Sequence, residues 1–175
     1  MSVASDKPEV VLLGTVHRVQ SIDERIAVWA QRSKDFKRGV EKLVEDFGIK
    51  FIGEEAAQDR LSSAGNVALD HFVRYVNLDI PLCAQNQIRL HPETNETTSF
   101  DENKRDPYVL AWDRVREYHM YQRFVESRAD LTPSLFICGQ AHQQRLMELL
   151  QKAFTIHPKT AIPDSDGKLR FSDDK

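Results

Sequence analysis

The sequence predicts an α/β protein, a single domain with a mostly parallel sheet of four or more strands and helices on both faces. Three observations predict it. Short stretches that are apolar almost throughout, Val10–Leu13, Lys50–Gly53 and Leu135–Cys138, have the composition of strands buried on both sides. Stretches with apolar residues every three or four positions lie between them, as amphipathic helices require. The strands also end alike: Gly14-Thr15-Val16-His17 closes the first, Glu54-Glu55 the second and Gly139-Gln140-Ala141-His142 the last. In open parallel sheets the carboxyl ends of the strands are where ligands bind.

Each element has its own signal. After the first strand, Ser21 with Glu24 three residues on forms a capping box. From Ile22 the apolar residues Ile26, Trp29, Phe36, Val40, Leu43 and Phe47 mark one helix stripe, with a gap at Ser33, and Gly48 stops the helix. Beyond the second strand, Leu69, Phe72, Val73 and Val76 share one side of a second helix. Ile80-Pro81-Leu82-Cys83-Ala84 reads as a third, short strand. The segment Gln85–Arg105 is polar and rich in turn formers, and a loop of that length is expected beside the site, more mobile than the rest. Asp106-Pro107 opens the next helix, with Leu110, Ala111, Val115, Tyr118 and Val125 as its packing stripe. The fourth strand is followed by a helix carrying Leu146, Leu149 and Leu150. Residues 1–175 then form one domain, with a core over about 9–154 and a polar tail over about 157–175 that holds Pro158, Pro163 and Gly167. An order of 3-2-1-4, numbering strands along the chain, would bring the ends of strands 1, 2 and 4 together at the switch point of the sheet.

Composition narrows the function. The formal net charge of -3 argues against a nucleic-acid partner held by phosphate contacts. No stretch is apolar and long enough to span a membrane. Met1–Pro8 has no apolar signal core, so a cytoplasmic location is expected. Cys83 and Cys138 lie in apolar surroundings and read as buried, reduced thiols.

His17, Glu55 and His142 are therefore the candidate site, each at a strand end. Side chains alternate along a strand, so Glu54 and Glu55 cannot both face one crevice.

Leu13-Gly14-Thr15-Val16-His17 resembles the opening motif of the TraB/GumN/Tiki group, within the broader erythromycin-esterase-like and ChaN-like set. Gly139-x-x-His142 before a leucine-rich helix is similar to the group's second glycine-histidine motif. Glu55 with Arg60 fits a strand-end glutamate followed five residues on by arginine, and Arg116-Glu117-x-x-Met120 is similar to its helical arginine-acid pair. Glu117 stands where aspartate or asparagine is usual, and the chain is shorter than typical members.

The resemblance implies a hydrolase-type site acting on an ester, amide or related bond in a small-molecule or peptide substrate. Tiki-like members are metal-dependent proteases, whereas erythromycin-esterase-like members act as esterases without a required metal. Glu55 matches the motif spacing and so carries the carboxylate role; Glu54 is a solvated neighbour or, with Arg60 and Gln140, a substrate contact. Two readings of the chemistry stay open. His17, Glu55 and His142 suit a catalytic divalent metal such as Mn, Co or Zn, which would lower the pKa of a bound water. Without metal, His17 serves as general base on water with a glutamate orienting it, while His142 and Arg116 stabilise the oxyanion. Outside enzymology, the same crevice would serve a catalytically silent module that binds a ligand or peptide.

Overall fold

The computed structural model describes residues 7–16, 20, 27–56, 62–81, 107–164, 166 and 168–173. Its elements are β1 (Glu9–Thr15), α1 (Ala27–Phe47), β2 (Phe51–Glu54), α2 (Ser63–Asp70), β3 (Arg74–Asn77), α3 (Pro107–Arg128), β4 (Ser134–Gly139), α4 (Gln140–Leu150), β5 (Thr155–Pro163) and β6 (Leu169–Asp173). They form an α/β fold around one six-stranded sheet of order β3-β2-β4-β1-β5-β6. All neighbouring pairs are parallel except β5 with β6.

The expected order 3-2-1-4 gives way here. β4 sits between β2 and β1, and β1 is flanked by β4 and β5. β4 is buried along its whole length, which suits the middle of the sheet, and the tail supplies β1 with its other neighbour. The ends of β2, β4 and β1 are still adjacent, with Thr15 opposite Gly139 and Glu54 opposite Ile137.

Alternation along the strands makes two cores. Val11, Leu13, Ile52, Leu135 and Ile137 face α1 and α2, where they meet Phe36, Val40 and Val67. Val10, Leu12, Phe51, Phe136 and Cys138 face α3 and α4, where they meet Met120, Phe124 and Leu146. With both sides covered, no polar alternation is left in the strands, which is why they read as apolar runs.

α1 keeps its expected stripe, and Ser33 at the gap is itself buried. It ends on Gly48 at φ 61, with Ile49 N–H bonded to Val44 O (3.0 Å) and Gly48 N–H to Glu45 O (3.4 Å). That paired closure needs a left-handed residue, and glycine takes it without a Cβ penalty. The capping box at Ser21 and Glu24 lies outside the described residues.

Four expectations fail for local reasons. The second helix stops at Asp70, and Val76 lies in β3 rather than on that helix. Its closure copies that of α1, with Val73 N–H to Ala68 O (2.8 Å) and Phe72 N–H to Leu69 O (3.3 Å), but the left-handed position is Phe72 at φ 55. No glycine marks the stop. The third strand therefore precedes Ile80–Ala84, of which 82–84 lie outside the described residues.

The stripe on α3 is also rotated. Ala111, Val115, Tyr118 and Val125 are exposed, and the buried side carries Glu117, Met120, Phe124 and Arg128. The polar tail, finally, is a strand pair. Thr155 N–H bonds to Pro8 O (3.0 Å), so alternate N–H groups of β5 face β1 and Pro158 faces away from it. On that side β6 pairs only from Lys159 onward, and the missing N–H breaks no ladder bond.

Gly14 explains how α4 docks. A Cβ there would lie 2.0 Å from Gln143 Oε1. The Gln143 carboxamide occupies that space, donating to Lys159 O (2.9 Å) and accepting from Thr160 Oγ1 (3.4 Å). The glycine of the first Gly-x-x-His motif thus admits a side chain that ties α4 to β5.

Candidate active site

The end of β2 sends its two glutamates to opposite faces. Glu54 goes to the α1/α2 side and Glu55 to the α3/α4 side, with exposures of 0% and 1%. The solvated Glu54 of the sequence reading is thus replaced by a buried carboxyl beside α2.

Glu55 is held from three directions. Its own N–H donates to Ile137 O (2.8 Å), continuing the sheet one residue beyond β2. Its Oε2 accepts from Gly139 N–H (2.8 Å), the residue that caps α4 without a side chain of its own. A carboxylate at a helix start satisfies an orphan donor and complements the helix dipole. Its Oε1 accepts from Arg116 Nη2 (2.6 Å).

Arg116 comes from α3 and also grips Asp79, just after β3, through Nη2 to Oδ2 (2.8 Å) and Nε to Oδ1 (3.2 Å). Burial disfavours the guanidinium charge, but Glu55 and Asp79 outweigh it and hold the group above its ordinary value. The cation is fixed as a bridge between two strand-end carboxylates.

His142, in the first turn of α4, is buried between two acids. Its Nδ1 lies 2.9 Å from Glu117 Oε1, and its Nε2 lies 3.5 Å from Glu55 Oε1. An ionised carboxylate only accepts, so Nδ1 carries the proton toward Glu117 and fixes the ring. Desolvation disfavours the imidazolium, yet Glu117, Glu55 and Asp113 prevail over it and over Arg116, raising the pKa above 6.5.

On the other face, Glu54 accepts from Tyr75 OH (2.8 Å), Gln20 Nε2 (3.1 Å) and Ser62 Oγ, which also caps α2 at Gly65 N–H (2.9 Å). Burial pushes its pKa up to about 7 against those three hydrogen bonds, with the Glu55 charge adding to the rise. Tyr75 is raised as well, by burial and then by Glu54.

The structure therefore brings together Glu55, His142 and Arg116 and adds Glu117 and Asp79. Gln140 is exposed at the start of α4 and makes no part of this cluster. His17, Arg60 and the segment 85–105 lie outside the described residues. Asp79 had a signal, an acid just beyond a strand, hidden because β3 begins earlier than its sequence suggests. Glu117 stood in the quoted helical motif without a role.

The chemistry open to this arrangement is limited. Cys138 is fully buried beside the cluster, and burial, then Glu55 and Glu117, raise its pKa well above the ordinary thiol value. It is held as a thiol and not as the reactive thiolate. Ser62 is paired with a carboxyl rather than an imidazole. Acid–base chemistry on water is what these groups suit.

Of the expected metal ligands, Glu55 and His142 come together, and His17 lies outside the described residues. Glu55 accepts from Gly139 at Oε2 and from Arg116 at Oε1, and each oxygen keeps a further lone pair. Among the described residues no group of three His, Cys, Asp or Glu side chains could hold a metal ion.

Fold and site define a class, an α/β protein with an Arg-bridged carboxylate and a carboxylate-held histidine at the carboxyl edge of its sheet. No family model, curated protein or solved structure matches the chain. No described helix is long and apolar enough to cross a membrane.

Proposed function

We propose that this protein is a hydrolase of the TraB/GumN/Tiki-like kind, cleaving an ester, amide or related bond in a small molecule or peptide by metal-independent acid–base catalysis. The observation that supports it is the buried meeting of Glu55, Arg116, His142 and Glu117 where β2 and β4 end. In this reading Glu117 orients His142, whose Nε2–H donates to the oxyanion or to the leaving group. Arg116 supplies fixed positive charge, and Glu55 holds both cations in place. His17 is the general base on water, a role carried by its motif alone.

One observation favours a second reading, ligand binding without chemistry. Arg116 Nη2 is shared by Asp79 and Glu55, so substrate must compete for it. A panel of chromogenic esters, lactones and dipeptide amides, run with and without chelator, separates the readings. Turnover insensitive to chelator supports the proposal. Turnover abolished by chelator and restored by Mn, Co or Zn replaces it with the metal-dependent form. Ligand-induced thermal stabilisation without turnover supports the binding module.

A further inference from the structure

We propose that Gln20 is a positioning residue for Glu55 and that Glu54 is its anchor. β1 and β2 are not neighbours, since β4 stands between them. Yet Gln20, five residues beyond the last residue of β1, places Nε2 3.1 Å from Glu54 Oε1 and 3.0 Å from the Glu55 carbonyl oxygen. One side-chain amide thus fastens the position after the first Gly-x-x-His motif to the end of β2. All three residues are buried, with Gln20 at 3% exposure.

The consequence for Glu55 is geometric. Its N–H is fixed by Ile137 O and its carbonyl by Gln20, so the peptide planes on both sides of its Cα are set. A short side chain on a fixed backbone has few ways to point, and this one must meet Gly139 N–H, Arg116 and His142 together. Sub-ångström aim matters for such a group. Glu54 holds the amide still because Ser62 and Tyr75 hold Glu54. The pair Glu54-Glu55 therefore has a division of labour, one carboxyl anchoring the frame and the next working in the site. The hydrogen bonds stand without the hydrolase reading; only the catalytic weight given to Glu55 rests on it.

The test compares two substitutions that each remove a donor from Glu54. Gln20→Met keeps the stem and loses the bridge to Glu55; Ser62→Ala loses a donor to Glu54 and the α2 cap but keeps the bridge. Amide exchange at Gly139, whose N–H reports the aim of Glu55, is measured relative to the amides of β1. Gln20→Met should accelerate it about tenfold, and Ser62→Ala, which leaves the bridge and the Tyr75 bond to Glu54 in place, should accelerate it clearly less. Equal acceleration in both variants, or none in Gln20→Met, would overturn the proposal. A measurement on the wild type serves if Gln20→Met does not fold. A through-hydrogen-bond coupling between the Gln20 amide and the Glu55 carbonyl supports the bridge, and rapid exchange of that amide refutes it. On any substrate turned over, Gln20→Met should lower kcat about tenfold with KM little changed. Absence of turnover in the wild type would count against the hydrolase reading and leave the Gly139 result intact.

Discussion

His142 Nδ1 lies 2.9 Å from Glu117 Oε1, and both side chains are buried. The acid that fixes the ring comes from α3, while the histidine rides on the first turn of α4. Two helices on one face of the sheet are thereby locked to the same catalytic candidate.

This pair has a titration consequence. The His142 imidazole should titrate above 6.5, because Glu117 and Glu55 outweigh its desolvation. Its contribution to stability is complete below 6.5 and is lost as pH rises through the higher folded value. Glu117→Gln should lower the His142 pKa, read from its ring proton shifts by NMR. An unchanged value would show that Glu117 does not govern the ring.

Glu54 gives a second pH dependence. Its carboxyl goes from 4.5 when unfolded to about 7 when folded. The folded chain then binds a proton that the unfolded chain has lost, so stability is complete below 4.5 and falls as pH rises to about 7. The loss is on the order of 3 kcal/mol. Denaturant midpoints across pH 4–8 should show the fall in the wild type and a flatter profile in Glu54→Gln. Equal slopes would mean that Glu54 is not the group responsible.

What the sequence made legible follows from these local facts. β1, β2 and β4 were plain because sheet faces covered on both sides leave uninterrupted apolar runs. Glu55 and His142 could be paired from the sequence because each follows the carboxyl end of a strand, where the parallel sheet brings them together. The end of α2 was hidden because Phe72 does what a glycine does after α1. The face of α3 was misread because its buried side includes the charged Glu117 and Arg128, while Val115 and Tyr118 face solvent. Gln20 had no motif; its importance is a matter of which strands it joins.

Phe72 is itself testable. It is 98% exposed and sits at φ 55, a conformation that strains a side chain and suits glycine. Phe72→Gly should stabilise the chain by about 1 kcal/mol, a rise in melting temperature of roughly 2–4 °C. A lower melting temperature would show that the aromatic ring makes a contribution larger than the strain.

The central claim is that His142, held by Glu117 and facing Glu55, does acid–base work in hydrolysis. The most direct measurement is the turnover, by wild type and His142→Asn, of whichever panel substrate the wild type hydrolyses, with folding of the variant checked by circular dichroism. The account expects the variant to stay folded and to lose about a hundredfold or more in kcat. A folded variant that hydrolyses the substrate at the wild-type rate would contradict it.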